Sequence, residues 1–263
     1  GIEPCACGNG LSYTAVIADG VSAVRRAAQE ELRKGAHQIK VMVSGGVASP
    51  YDPLDSKQYS TEELTAIVEE ASGWNTYVAA HSYTSRATQH AVKCGVRTIE
   101  HGNLIDAETA RMMAQHGAYL VPTLIAYDAL DRNGAALGLG SASMEKLQAV
   151  KKHGQNAISL CREAGVKVGL GTDLLGGLQS DQSLGLRLQN EVDSNRDVLV
   201  SATAVNAEIL NQVNELGVIA TGAKADLLLV EGDPLADLSL LARPEETLQI
   251  IMKDGEIYKN SLG

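Results

Sequence analysis

The sequence predicts an α/β fold, a parallel sheet covered by helices, and three observations carry that expectation. Helical and strand patterns alternate along the chain, with strands expected near 39–43, 77–81, 97–101, 118–122 and 166–171; regular alternation of this kind builds parallel sheets. The stretch 77–103 reads as strand, helix, strand, and two strands joined by a helix of that length lie parallel through a right-handed crossover. From about residue 215 the texture changes to short strands with turn signals, among them the hairpin dipeptide Asp254-Gly255.

Taken in order, residues 1–18 read as an irregular, glycine-containing loop. Asp19 is placed to cap a helix over 21–34, stopped by Gly35. Gln38-Ile39-Lys40-Val41-Met42-Val43 has no polar alternation and reads as a strand covered on both faces, closed by Ser44-Gly45-Gly46. A loop over 50–58 leads to Ser60-Thr61-Glu62-Glu63, a capping box that opens a helix to about Ser72. The strand at 77–81 ends in His81, a helix follows over 84–94, and the strand at 97–101 ends in His101. A helix over 106–116 precedes the strand ended by Pro122, and 131–142 reads as a glycine-rich loop. One long helix is expected over 143–164, then a strand running into Thr172-Asp173, then a helix over 197–210.

The chain has 263 residues, 44% hydrophobic and 21% charged, so it is globular. Its net charge of −10 argues against nucleic acid or an anionic membrane as partner. No apolar run is long enough to span a bilayer, and no charged-then-apolar leader is visible. Cys5-Ala6-Cys7 is too tight for the usual zinc or redox pairs, and Cys94 and Cys161 read as small buried hydrophobes. With no disulfide framework, the expectation is a reducing, cytoplasmic location.

Four strand residues carry chemistry. Lys40 lies within the first strand, His81 and His101 end the next two, and Asp173 ends the last. The carboxyl ends of parallel strands share one edge, where ligands bind. A lysine inside a covered strand is costly to bury unless it is paired or modified. Carboxylation by CO2 would turn it into a carboxylate able to bridge two divalent cations. Imidazole and carboxylate are donors that zinc takes in catalytic sites, and Asp173 is the candidate base. His37, His90, His116 and His153 read as structural or solvated. Gly169-Leu170-Gly171 lacks the third glycine of a dinucleotide loop, and Ser44 lacks the first glycine of a nucleophile elbow.

The set Ile39-Lys40-Val41-Met42, Ala80-His81-Ser82-Tyr83, Ile99-Glu100-His101-Gly102 and Leu170-Gly171-Thr172-Asp173 resembles the amidohydrolase superfamily. The likeness is strongest to its imidazolonepropionase-like, Xaa-Pro dipeptidase, Xaa-Arg/Lys carboxypeptidase and ochratoxin-hydrolysing branch. Gly222-Ala223-Lys224-Ala225-Asp226, Gly232-Asp233-Pro234 and Lys253-Asp254-Gly255 resemble that family's returning β-sandwich.

The resemblance implies a (β/α)8 barrel of TIM type lacking its first three strands, with a catalytic region over 1–214 and part of a small β-sandwich over 215–263. The family's His-x-His pair is absent from this chain, so the resemblance implies the carboxyl-terminal part of a longer enzyme, with an open edge near Lys40 that invites self-association. A homo-oligomer is left open. By the same resemblance one metal is held by the His-x-His pair, carboxylated Lys40 and Asp173, and a second by Lys40, His81 and His101, with Zn2+ the expected ion. The implied activity is hydrolysis of a dipeptide or N-acyl amino acid by metal-activated hydroxide, with Tyr83 and Arg86 binding the small-molecule substrate. The alternative is an incompetent fragment or scaffold that needs an amino-terminal segment. Metal content separates the two.

Overall fold

The computed structural model describes residues 15–49 and 51–263. The expectations for residues 1–14, Cys5-Ala6-Cys7 included, and for Pro50 lie outside these residues. The first half alternates helix and strand: α1 (Val21–Arg33), β1 (Ile39–Met42), α2 (Thr61–Gly73), β2 (Val78–Thr84), α3 (Ser85–Lys93), β3 (Thr98–Leu104), α4 (Ala107–Gln115) and β4 (Tyr119–Val121). The four strands form one parallel sheet in the order β1-β2-β3-β4. The fold class is therefore the expected α/β, with the helix-covered parallel sheet of a TIM-type barrel. Among the described residues the sheet is an open arc.

Helix starts follow local chemistry. Ser60 accepts from Glu63 N–H, and the Glu63 side chain accepts from Ser60 N–H, which completes the expected capping box of α2. The other Glu63 oxygen takes Gly20 N–H at 2.7 Å. The N-cap of α1 is accordingly Gly20, at φ 84°, and not Asp19. The neighbouring helix thus holds the N-cap residue by its N–H, and no side chain caps α1. Asp106 caps α4 by accepting from Thr109 N–H, and Thr84 caps α3.

The main core lies between the sheet and its helices, around Val24, Leu64, Val78, Ile99, Met113, Leu120 and Ile158. With no Phe in the chain, aliphatic side chains supply this burial, each contributing about 1.5–3 kcal/mol. Cys94 and Cys161 are free and buried, as expected.

Three sequence expectations fail here for physical reasons. Lys40 is exposed, and β1 alternates buried Ile39 and Val41 with exposed Lys40 and Met42. β1 is an edge strand with one covered face, so an apolar run did not mean two covered faces. The expected strand at 166–171 is a single parallel bridge, Leu120 to Val168, held by Leu120 N–H to Lys167 O and Gly169 N–H to Leu120 O. Beyond it, both Leu170 backbone groups bond the Asn206 side chain, which replaces a ladder. Gly171 lies so close to Val121 that a Cβ would sit 2.5 Å from Val121 Cγ1.

The expected long helix over 143–164 is instead α6 (Ser141–Lys151) and α7 (Gly154–Ala164), which follow α5 (Leu124–Asn133). Asn103 Nδ2 donates to Val150 O at 3.0 Å, taking the carbonyl that Gly154 N–H would use in a continuous helix. His153 therefore stands at the break, as the N-cap residue of α7.

After Asp173 the chain forms α8 (Leu184–Asn190), α9 (Asn195–Val200), a π turn over Ser201–Val205 and α10 (Asn206–Ile209). The last three run on as the helix expected over 197–210. From residue 215 the structure is an antiparallel sheet of β5 (Leu227–Val230), β6 (Leu248–Lys253) and β7 (Glu256–Asn260), with α11 (Pro244–Thr247) before β6. Among the described residues no helix is long and apolar enough to cross a membrane.

At the amino ends of β2–β4, Arg97 lies over the Tyr77 and Tyr119 rings, 4.9 and 5.4 Å from their centroids, and bonds Glu208 O at 2.7 Å. Glu208 in turn accepts from Tyr119 and Lys167. Arg97→Ala should cost about 2 kcal/mol, from two cation–π contacts and charged hydrogen bonds, while leaving the opposite edge intact. Urea unfolding followed by far-UV circular dichroism would check this, and an unchanged midpoint would show the clamp contributes nothing.

Candidate active site

β2 and β3 each run three residues past their histidine. The register aligns Met42, His81, Glu100 and Val121 across the sheet, so His81 and Glu100 share the face that carries Lys40 and Met42. Simple alternation would send His101 to the other face. His101 instead has φ 81°, followed by Gly102 at φ 65°, and this left-handed pair turns the imidazole back toward His81. A left-handed non-glycine residue costs about 1–3 kcal/mol, so the surrounding packing holds the ring in place. Asp173 and Thr123 are also left-handed, at φ 52° and 47°.

The expected residues meet. The His81 and His101 ring centroids are 4.6 Å apart, and Tyr83 lies 4.8 Å from His81 and stacks on His101 at 5.1 Å. His101 Nε2 stands 4.0 Å from Asp173 Oδ2. Arg86 sits exposed in the first turn of α3, at the same carboxyl edge, with no ion-pair partner among the described residues.

Each ring is fixed through one nitrogen. His81 Nε2 is 3.1 Å from Gly45 O, so it donates to that carbonyl and leaves the Nδ1 lone pair free. His101 Nδ1 is within 2.7 Å of Thr123 Oγ1 and Tyr127 OH. Burial pushes His81 down to about 4, with Lys40 adding repulsion, and burial with repulsion from His81 and Lys40 takes His101 well below the ordinary histidine range. Both are neutral at pH 7. Asp173 is raised by burial and drawn back by Lys40, although its side chain is still 54% exposed. Burial also raises Glu100, which accepts from Thr98 Oγ1 at 2.6 Å. Lys40 thus acts on His81, Glu100, His101 and Asp173 from one position, and it lines a cleft of about 360 Å³ with Thr98, Glu100 and Asn206.

Among the described residues no three His, Cys, Asp or Glu side chains converge enough to hold a metal ion by themselves. The donor chemistry of the set does fit a divalent cation. An imidazole nitrogen and a carboxylate oxygen face each other across 4.0 Å, and a second imidazole lies beside them. Lys40, once carboxylated, would add the further oxygen donor.

Sequence reasoning missed the residues that hold the histidines. Gly45 is fixed because a Cβ there would lie 2.1 Å from Pro53 O. Ser44 Oγ accepts from Tyr83 N–H at 3.2 Å, and Lys146 Nζ ties down the same loop through Ser49 O at 2.8 Å. Thr123 stands one residue past Pro122, at the end of β4, and strand-end position was the signal that could have found it. Gly45→Ala should displace this loop and lower metal affinity by roughly 10-fold or more, as loss of an outer partner typically does. Metal titration would check it, and unchanged affinity would release Gly45 from this role.

A family model for the amidohydrolase family matches residues 2–258. The chain belongs to the amidohydrolase family. Within it, the chain is 35% identical over 246 residues to ochratoxinase of Aspergillus niger, covering 92% of this chain and 50% of that protein. A prolidase crystal structure in complex with N-methylphosphonate-L-proline is 49% identical, with a TM-score of 0.91 over 94% of this chain and 60% of that one. A Xaa-Pro dipeptidase structure with methionine bound in its active site is 29% identical, with a TM-score of 0.84 over 92% of this chain and 59% of that one. The chain thus spans about half the length of the curated amidohydrolase relatives it matches.

Proposed function

We propose that this amidohydrolase is a metal-dependent enzyme that hydrolyses the amide bond of a dipeptide or N-acyl amino acid. The observation that carries this reading is the approach of His101 Nε2 to Asp173 Oδ2, 4.0 Å apart, beside His81 at the carboxyl edge of the sheet. The prolidase and dipeptidase structures that the chain resembles support the substrate class.

His81, His101, Asp173 and carboxylated Lys40 would hold one or two divalent cations, with zinc suited to the donors. A bound cation would supply Lewis acidity and an acidified water. Asp173 would take a proton from that water on its carboxylate and deliver it to the leaving nitrogen. Tyr83, whose hydroxyl burial keeps protonated far above neutral pH, would donate to the scissile group or the substrate carboxylate. Arg86 would pair with the same carboxylate. In this reading the catalytic region is 1–214 and the returning sheet region 215–263. A reducing, cytoplasmic location is proposed on the free Cys94 and Cys161.

The test is a panel of Xaa-Pro dipeptides and N-acyl amino acids, each also with its carboxylate amidated, with and without chelator. Hydrolysis of the free acids, weakened by amidation and abolished by chelation, is expected. No hydrolysis of any member would favour the scaffold reading.

A further inference from the structure

Two hydroxyls close around the inner side of the His101 ring. Thr123 Oγ1 and Tyr127 OH each lie 2.7 Å from Nδ1, and Thr123 and Tyr127 are 3% and 2% exposed. A neutral imidazole has one N–H and one lone pair, so Nδ1 either donates to these oxygens or accepts from one of them. Thr123 donates to the Tyr127 oxygen at 3.4 Å. The Tyr127 hydroxyl also meets that of Tyr83, whose ring centroid is 6.2 Å from its own. With the Thr123 proton directed to Tyr127, Thr123 Oγ1 presents a lone pair to Nδ1, and Nδ1 carries the proton. The reverse tautomer would place a proton on Nε2, where Asp173 Oδ2 at 4.0 Å is beyond hydrogen-bonding distance.

Thr123 reaches its place through the left-handed backbone noted above, and its side chain makes no capping bond to α5. That strain places a hydroxyl against a histidine and serves no helix end.

We infer that Tyr127 and Thr123 are positioning residues that fix the Nδ1–H tautomer of His101, so that its Nε2 lone pair stands toward Asp173 for a divalent cation. The inference rests on reading His101 as a metal donor. Because Tyr83 ends the same hydroxyl chain, the group proposed to meet the substrate is tied to the group that orients the donor.

The test uses the purified protein with Tyr127→Phe, which keeps the ring, with Thr123→Ser, which keeps the hydroxyl, and with the pair Tyr127→Phe/Thr123→Ala. Long-range 1H–15N spectra of the metal-free protein, assigned by loss of signals in His101→Gln, report which nitrogen is bare. Zinc titration against a chromophoric chelator reports affinity. A bare Nε2 is expected in the wild type and in Thr123→Ser, with mixed tautomers and roughly 10- to 100-fold weaker zinc binding in the pair. Should the pair fail to fold, Tyr127→Phe alone carries the comparison. An Nε2–H wild type, or hydroxyl-free variants with unchanged tautomer and affinity, would overturn the inference. A wild type that binds no zinc would contradict the metal reading itself, while the spectra still decide the tautomer.

Discussion

Asp173→Asn should lower kcat by roughly 100- to 10,000-fold, the range for a removed general base, with KM changed little. The amide keeps the shape of the carboxylate and its left-handed backbone, which asparagine tolerates at φ 52°. It cannot take a proton from water. Burial raises the carboxyl from its ordinary value, and Lys40 draws it back. Steady-state kinetics on a hydrolysed dipeptide would check the prediction. An unaltered rate would leave Asp173 a structural residue and remove the proton step.

Lys40→Ala should strip the protein of bound metal and abolish turnover, and short carboxylic acids with bicarbonate should restore part of each. The argument differs from one based on burial, because the side chain is exposed. What singles Lys40 out is its reach: it acts on both histidines, Glu100 and Asp173. As an ammonium it repels any cation brought to those donors. As a carboxylate it attracts one, so the modification reverses the sign of the local field. Metal analysis of the variant decides between them, and a normal metal content in Lys40→Ala would rule out the bridging role.

The sequence was most legible where local chemistry and register are enough. The capping box at Ser60-Glu63, the Asp254-Gly255 turn and the crossover from β2 to β3 needed no knowledge of distant residues. So did the placing of His81 and His101 on one edge. It was less legible where a distant partner decides. Asn103 breaks the long helix by taking Val150 O, Asn206 takes the backbone of Leu170, and Gly20, its N–H held by Glu63, replaces Asp19 as the N-cap of α1. Lys40 was misjudged because hydrophobicity of a strand does not reveal whether both faces are covered. Tyr127 was invisible for a related reason, and Thr123 was marked only by its place at a strand end. Their value lies in a hydroxyl chain that exists only once α5 packs its first turn beside β3.

The central claim is that His81, His101 and Asp173, with Lys40, form a metal site. The most direct test is zinc bound per chain, by plasma mass spectrometry, in the purified protein and in a His81→Ala/His101→Ala variant of confirmed fold. The account predicts stoichiometric metal in the wild type and its loss in the variant. A wild type without metal, or a variant that keeps all of it, would contradict the account.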